Sequence, residues 1–247
     1  MAVLGAWTAV ASAAVPSVSN GSFEVNSTDG GSTYQPLYPG FGGLPNWRWS
    51  SSPLVVLIGN PPSNPGYAYA TPFGQWQLDL SGSDNTTGGW IETDLSDLAP
   101  GSRYNLFFKF GTSRDFLAGG GPPSLQVTID GAQADRFSHL PAAAVEWTPL
   151  TYRFTANAAN VVLRFTDVAP TGTGLVSVDD LRLEPVVEAP PTVSVRRGEA
   201  PGEVLVDFTG TLESSLDLRT WLAVPGAASP WTATDDATAR WYRARLP

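Results

Sequence analysis

Two adjacent acids, Asp179 and Asp180, interrupt a strand-like pattern in "GLVSVDDLRLE", residues 174–184. The valines before the acids and the leucines after them fall on opposite faces, because side chains alternate along a strand. A regular strand would bury Asp180 on the valine face, whereas a β-bulge would turn one acid toward a separate point. A buried carboxylate is costly unless it is paired, so both arrangements require a positive partner.

Calcium is one such partner, since it takes roughly six to eight oxygen ligands from carboxylates and backbone carbonyls. Carbonyl groups near residues 18–22 and 43–47 could supply part of that shell. The alternatives are a salt bridge to Arg182 or Arg48, or two solvated acids at a strand edge. The residue types favour the metal ion over these alternatives.

Aromatic side chains outside the alternating pattern could form flat platforms for the C–H face of a sugar ring. The chain has nine Trp, seven Tyr and eleven Phe, and alternation places most of them in a core. The candidates that remain are Trp49, Tyr67, Tyr69, Trp90 and Phe116. Polar neighbours that could bind hydroxyl groups are Arg48, Asn60, Asn64, Arg114 and Asp115. The alternative for each aromatic residue is packing within its own loop.

Residues suited to catalysis are sparse. The single histidine, His139, has no evident partner, which argues against a Ser–His–Asp triad and against a multi-histidine metal site. Glu92 and Asp94 stand two apart on one strand and therefore share a face, where such a pair normally meets solvent rather than a glycosidic bond. The sequence predicts a protein that is not an enzyme.

Composition narrows the class of partner. The chain has 247 residues, of which 42% are hydrophobic and 15% are charged, as expected of a folded protein. Its net charge of −9 and its scattered Lys and Arg argue against nucleic-acid binding, which requires a basic surface. Cysteine is absent, so there is no disulfide or thiolate metal site.

The elements that must position these residues are strands. Alternating apolar residues mark six segments, 74–82, 89–95, 102–110, 125–131, 152–156 and 161–167. Turn sequences rich in Gly, Pro and Asp separate them, and long helical periodicity is missing, which predicts an all-β sandwich.

Four regions are expected along the chain. Residues 1–17 are predicted to be a signal-peptide remnant, with an A-x-A pattern at 11–13, or an N-terminal arm. Residues 18–186 form the sandwich, 187–192 a Pro-rich linker, and 193–247 a small C-terminal β-domain. No stretch is long and apolar enough to predict a membrane span.

The first of these β-domains resembles the galactose-binding-like jelly-roll domains of bacterial choice-of-anchor surface proteins and of a plant cell-wall family. Families of carbohydrate-binding modules share this layout. The resemblance covers residues 18–186, with Asn46 standing where those families usually have Gly. The motifs that carry it are "NGSFE" (20–24), "LPNW" (44–47), "GQWQLDLSG" (74–82), "GGWIETDLSDLAPGSRYNLFFKFG" (88–111), "LQVTIDG" (125–131) and "GLVSVDDLRLE". The C-terminal part is similar to small β-domains of secreted verrucomicrobial and planctomycete proteins.

The resemblance implies that an acid of the first strand meets an acid of the last strand and that the two hold a structural Ca²⁺. In this chain those acids are Glu24 and Asp180, or Asp179. It further implies a secreted or surface-located bacterial protein that binds a polysaccharide or glycan without catalysis. The alternatives are a structural or adhesive surface protein that self-associates through its β-domains, and an accessory module of a carbohydrate-active enzyme.

Overall fold

The computed structural model describes residues 16–28, 32–60, 70–82, 86–113, 121–142, 145–170, 174–187, 189–201, 203–233 and 240–245. Within these ranges the regular secondary structure consists of β-strands alone. The chain divides into two compact units, Met1–Val186 and Val187–Pro247. Of the predicted N-terminal segment 1–17, residues 1–15 lie outside the described residues. No helix in the described ranges is both long and apolar enough to cross a membrane.

In the described residues of the first unit, eleven strands form two antiparallel sheets. The six-stranded sheet has the order β1-β3-β4-β11-β6-β9, and the five-stranded sheet has the order β2-β5-β10-β7-β8. The strands are β1 (Tyr34–Pro36), β2 (Arg48–Trp49), β3 (Val56–Gly59), β4 (Trp76–Asp79), β5 (Trp90–Leu95), β6 (Arg103–Ser113), β7 (Ser124–Ile129), β8 (Gln133–Ser138), β9 (Val145–Thr155), β10 (Val161–Asp167) and β11 (Val176–Pro185).

The hydrophobic core of this unit lies between the two sheets. Alternate residues of each strand enter it, as Ile91 and Leu95 of β5 do with no exposed surface. The ring of Phe108 on β6 meets the ring of Phe165 on β10 at 5.2 Å, which joins one sheet to the other. The predicted all-β sandwich is confirmed.

A β-bulge resolves the broken pattern of "SVDDLRL". The register of β11 against β6 shifts between Asp179 and Arg182, so β11 carries one residue more than β6 at this point. Asp180 adopts a φ of 51°, a left-handed conformation of the kind that bulges use. As a result the valines before the acids and the leucines after them all lie in the same core. Asp179, next to core residue Val178, points away from it.

The second unit is a small β-domain made of two three-stranded sheets, with the orders β12-β13-β16 and β15-β14-β17. Val206 and Leu212 are its most buried apolar residues. Its strands are β12 (Val193–Arg197), β13 (Val204–Phe208), β14 (Thr211–Ser215), β15 (Leu222–Ala223), β16 (Trp231–Ala233) and β17 (Trp241–Arg245). The prediction of a small second β-domain is therefore confirmed.

Candidate functional site

The segment 20–24 lies beside the bulge of β11. It forms turns rather than the first strand that the resemblance implies, and the backbone N–H of Leu181 donates a hydrogen bond to the carbonyl oxygen of Gly21 at 2.9 Å. A Cβ atom on Gly21 would stand 2.4 Å from the carbonyl oxygen of Leu181, so a side chain there would push the two segments apart. Glycine at position 21 thus allows the turn to approach β11.

Glu24 is anchored to the start of β4, the strand next to β11. Its Oε1 atom accepts hydrogen bonds from the backbone N–H groups of Gln75 and Trp76, both at 2.9 Å. Gly74, with a φ of +59°, makes room for this carboxylate, since a Cβ there would lie 2.3 Å from Oε1. The turn at 73–75 therefore fixes the position of Glu24.

Asp179 is a buried acid that lacks a positive partner among the described residues. Its Oδ1 atom accepts a hydrogen bond from the N–H of Asp180 at 2.6 Å, and its Oδ2 atom is buried without a hydrogen bond. Burial raises the pKa of Asp179 to about 8, and the nearby negative charges of Asp180 and Glu24 act in the same direction. Glu24 and Asp180 thus lie near enough to Asp179 for their charges to act on it.

The two salt-bridge alternatives have different outcomes. The Nε atom of Arg182 lies 3.5 Å from Oδ1 of Asp180, which is a long contact, and the Arg182 side chain is 60% exposed. Arg48 instead binds Glu92 and Asp94 on the other sheet. Both leave Asp179 without a cation.

Two carboxylates at this point offer oxygen atoms of the type that calcium binds. The orphaned Oδ2 atom of Asp179 and the carboxylate of Glu24 are hard oxygen ligands of the kind that Ca²⁺ prefers. In the described part of the chain no three His, Cys, Asp or Glu side chains are grouped so as to hold a metal ion. The carbonyl groups of Gly21 and Gly43, in the loops expected to contribute, accept backbone hydrogen bonds. The remaining ligands would be backbone oxygens or water.

A second group of functional side chains lies on the outer face of the five-stranded sheet. Residues of β5 that alternate with the core face outward, and Arg48 of the edge strand β2 stands opposite Glu92. Arg48 donates from Nε to Glu92 at 2.9 Å and from both terminal nitrogens to Asp94 at 2.8 Å. Arg164 of β10 donates two hydrogen bonds to the other oxygen of Glu92 and stacks over the Trp90 ring at 4.2 Å.

This network leaves both acids ionised. Partial burial acts to raise the pKa of Glu92, but the hydrogen bonds from Arg48 and Arg164 outweigh it and hold the pKa below its ordinary value. The hydrogen bonds from Arg48 likewise lower the pKa of Asp94. A glycosidase acid must carry a proton at working pH, so a pair held in this way is unsuited to that role.

An open groove of about 740 Å³ runs over the same face. Its walls include Glu92 and Arg164, together with three polar side chains, Gln126, Thr128 and Thr166, from β7 and β10. These three form no side-chain hydrogen bond with any residue in the described ranges. A smaller depression of about 420 Å³ lies on the other side of the Arg48–Asp94 pair.

The predicted ligand residues are spread over several places. Trp90 and Arg48 lie on the outer face of the five-stranded sheet, beside the groove. Trp49 alternates with Arg48, is partly buried against the core, and places its ring 6.2 Å from that of Phe41. Four candidates, Tyr67, Tyr69, Arg114 and Phe116, fall outside the described residues, as do the polar neighbours Asn64 and Asp115.

His139 has a partner that its sequence neighbourhood did not reveal. Its Nε2 atom lies 3.0 Å from Oε2 of Glu146, which also accepts a hydrogen bond from the N–H of Ala142. This contact links the residue that follows β8 to the start of β9. Neither acid nor histidine borders the groove.

Sequence reasoning missed Arg164, Gln126, Thr128 and Thr166. The signal was available in part, because Gln126, Thr128, Arg164 and Thr166 alternate with buried residues on their strands and therefore share the outward side. That β7 lies next to β10, and β10 next to β5, is a property of the topology.

Several solved structures that resemble this chain are carbohydrate-binding modules. The module TmCBM61, solved with β-1,4-galactotriose, is 16% identical with a TM-score of 0.41, covering 68% of this chain and 97% of that one. A family 35 module from Clostridium thermocellum is 20% identical with a TM-score of 0.35, covering 56% of this chain and 90% of that one. The CBM22-1 xylan-binding domain of Paenibacillus barcinonensis Xyn10C is 15% identical with a TM-score of 0.36, covering 62% and 91%.

At the level of sequence, the chain is similar to halomucin of Haloquadratum walsbyi. The two are 26% identical over 229 residues, which cover 88% of this chain and 2% of halomucin. The chain thus corresponds to a very small part of that protein. No protein-family model matches the chain.

Proposed function

We propose that this protein binds a polysaccharide in the groove on the outer face of the five-stranded sheet and does not act on it chemically. The observation that carries the proposal is the set of Gln126, Thr128 and Thr166, which line an open groove without protein hydrogen-bond partners in the described ranges. An amide and two hydroxyl groups match the alternating donors and acceptors of sugar hydroxyls. The groove is open, so a chain longer than a disaccharide can extend along it.

The charges in the groove favour a neutral ligand. Arg164 and Arg48 are ion-paired with an equal number of carboxylates, Glu92 and Asp94, so the cluster carries no net positive charge to attract an anionic sugar. The stacked Trp90–Arg164 pair borders the groove at the Thr166 end, because Thr166 stands opposite Trp90 in the sheet. An aromatic ring next to hydrogen-bonding groups suits the two sides of a pyranose.

The binding experiment uses neutral polysaccharides, namely β-1,4-galactan, xylan and a mixed-linkage β-glucan, in affinity electrophoresis with the full chain. Loss of one good hydrogen bond costs about 1 kcal/mol, so Gln126→Ala combined with Thr166→Ala should weaken binding roughly tenfold or more. Thr151→Ala is the matched control, since Thr151 is an exposed threonine on β9 of the other sheet. The groove assignment is wrong if no polymer retards the wild-type protein. It is also wrong if the double variant is retarded as strongly as the wild type.

Calcium is the second part of the proposal. Glu24 and Asp179 would hold the ion, and the charge of the ion would compensate a buried carboxylate that now has none. Binding at one hundred times the dissociation constant contributes about 2.7 kcal/mol, or roughly 5–10 °C in melting temperature for a unit of this size. The melting temperature should fall by that amount in a chelator and return with Ca²⁺.

The calcium test has an internal control. Asp179→Asn should melt at the same temperature with chelator and with Ca²⁺, whereas Asp97→Asn, at an exposed turn, should respond as the wild type does. A wild-type melting curve that chelator leaves unchanged speaks against the ion, and burial of Asp179, which raises its pKa, would then favour its protonated form instead. We further propose that the protein acts outside the cell or on its surface, where a polysaccharide ligand would be met.

A further inference from the structure

The second unit carries a group of paired tryptophan and arginine side chains on one side of its β15-β14-β17 sheet. Glu213 of β14 stands opposite Arg243 of β17 and opposite Ala223 of β15, and directly paired residues share a face of the sheet. Trp241 and Arg245 are two residues before and after Arg243, so they project on the same side. We call this surface, formed by Glu213, Trp221, Trp241, Arg243 and Arg245, the arginine face.

The arginine face is the outer side of its sheet. The opposite side carries Leu212, which is 1% exposed, and Tyr242, whose ring meets Trp231 of the β12-β13-β16 sheet at 5.3 Å. That contact joins the two sheets of the unit. Since the inner side is occupied in this way, the arginine face points outward.

One buried carboxylate orients both arginines. Arg243 donates from Nε to one oxygen of Glu213 at 2.7 Å, and Arg245 donates from Nε to the other oxygen at 2.6 Å. The Glu213 side chain is only 8% exposed, while the arginine side chains are 49% and 55% exposed. The hydrogen bond from Arg243, aided by that from Arg245, lowers the pKa of Glu213, so the acid stays ionised.

The outer ends of the two guanidinium groups remain available. Within the described ranges, the hydrogen bonds that Arg243 and Arg245 make from their side chains both start at Nε, which leaves the terminal nitrogens of each group for other acceptors. Two cations against one carboxylate leave a local net charge of about +1, in a chain whose total is −9. The site is therefore a local exception to the charge of the protein.

Aromatic rings flank the arginines. The guanidinium carbon of Arg243 lies 4.4 Å from the centre of the Trp221 ring, which holds this side chain flat. Trp241 is 40% exposed, a high value for a tryptophan on a sheet. From Trp241 to Arg245 the strand advances about 13 Å, a distance that spans more than one sugar ring.

We propose that the arginine face binds an anionic polysaccharide through the carboxylate or sulfate groups of its sugars. The terminal nitrogens of Arg243 and Arg245, about 7 Å apart along the strand, donate to the anionic groups, since guanidinium pairs with planar oxyanions in a bidentate way. Trp241 supplies the apolar surface for the sugar ring next to them. Glu213 is a positioning residue that aims both arginines outward. This site lies in the second unit, and it does not depend on the groove of the first unit.

The test compares charged polymers with their neutral counterparts, using the full chain. The probes are polygalacturonate against its methyl-esterified form, and dextran sulfate against dextran, in affinity electrophoresis and biolayer interferometry. We expect retention on a charged polymer and at least tenfold weaker binding to the neutral counterpart. Raising NaCl from about 50 to about 500 mM should also weaken binding, because exposed charges are screened by salt. Retention on dextran sulfate alone identifies the anion as sulfate, and retention on polygalacturonate alone identifies it as carboxylate.

Four variants assign the binding to this surface. Arg243→Gln combined with Arg245→Gln should lower affinity at least tenfold, and Arg196→Gln is the matched control, because Arg196 is an equally exposed, ion-paired arginine of the other sheet. If the double variant unfolds because Glu213 is left buried and unpaired, the triple variant with Glu213→Gln removes that cost and must show the same loss. Gln126→Ala, in the groove of the first unit, should leave this binding unchanged.

The proposal is overturned by any of three results. These are no retention on any charged polymer, equal binding to charged and neutral forms, and wild-type affinity of the folded arginine variants. Failure here leaves the groove of the first unit untouched, since that site is tested with neutral polymers and with different variants.

Discussion

The end of the sandwich where β4, β10 and β11 meet encloses carboxyl groups, and Asp167 makes its stability depend on pH. Asp167 is 2% exposed, with Oδ1 accepting from the N–H of Ala169 at 2.8 Å and Oδ2 accepting from the hydroxyl of Ser81 at 3.1 Å. Burial raises the pKa of Asp167 from 3.8 to about 6, and these two hydrogen bonds only partly offset it. Asp79, fully buried, faces the same region, and the charge of Asp167 adds to the burial that raises the pKa of Asp79.

The sign of the effect follows from the direction of the shift. A carboxyl whose pKa is higher in the folded state favours folding when it is protonated, so its contribution is complete below pH 3.8 and is lost as the pH rises through 6. One pKa unit corresponds to about 1.4 kcal/mol, and a shift of about 2 units therefore corresponds to about 3 kcal/mol. The first unit should thus be less stable at neutral pH than at pH 4 on account of this residue.

Asp167→Asn removes the titration and preserves the local hydrogen bonds. The asparagine oxygen can accept from Ala169, and the hydroxyl of Ser81 lies 3.3 Å from the carbonyl oxygen of Gly174, which can replace the lost acceptor. We expect the free energy of unfolding of the variant, relative to the wild type, to rise by about 2.4 kcal/mol between pH 4 and pH 7.5, because at pH 4 the unfolded-state carboxyl is already partly ionised.

The measurement is urea unfolding followed by tryptophan fluorescence at half-unit steps of pH, with Asp97→Asn as the same substitution at an exposed site. If the free energies of unfolding of the wild type and of Asp167→Asn run parallel across this pH range, Asp167 does not cause the pH dependence. A difference of the opposite sign leads to the same conclusion. Either outcome would mean that the buried carboxyl is compensated by a group that the hydrogen bonds do not reveal.

Two further substitutions and one deletion test the geometry of the Glu24 turn, the core and the β-bulge. Gly74→Ala should destabilise the first unit by about 1–3 kcal/mol in urea unfolding, because the residue has φ +59° and its new Cβ would collide with the Glu24 carboxylate; an unchanged midpoint would mean that the turn relaxes freely. Phe108→Ala should lower the free energy of unfolding by about 3–5 kcal/mol, because its ring is buried in the core. Phe73→Ala, at a side chain that is 51% exposed, should lower it little, and equal losses in urea unfolding would contradict the core assignment. Deleting Asp180 should preserve the cooperative thermal transition of the first unit in near-UV circular dichroism, since removing the one extra residue of β11 restores regular alternation and keeps the leucines that follow on the core side; loss of the transition would show that the bulge itself is required.

The fold was predictable because its signal is local. Alternation of apolar residues marked β5, β6, β7 and β10 within a few residues of their bounds, and turn sequences separated them. The broken alternation at Asp179–Asp180 also pointed to the position of the bulge, although it left a regular strand as an alternative. The turn at 20–24 was misjudged as a strand, because "NGSFE" carries no alternating pattern of its own and was interpreted through the resemblance alone.

The candidate site was only partly predictable, for a reason that lies in the topology. Trp90 stands out in the sequence as an aromatic residue off the core pattern and Arg48 as a polar neighbour of such residues, and the structure shows that both lie on the outer face of one sheet. The groove itself depends on β7 lying next to β10, which brings Gln126 opposite Thr166 from a part of the chain forty residues earlier. No short sequence motif encodes that neighbourhood.

The acids of this chain show most clearly what the sequence leaves open. Glu92 and Glu213 each face two arginines, and in both cases the partner comes from a strand that is distant in sequence. Asp179 and Asp167 are equally buried, yet no described arginine or lysine forms an ion pair with them, so their charge must be met by a proton or a metal ion. Because burial and partner decide between a fixed anion, a proton carrier and a metal ligand, residue type alone does not separate these roles. The two arginine-bound acids therefore belong to the two surfaces that we propose to bind ligands, whereas the two unpaired acids are expected to affect the stability of the sandwich.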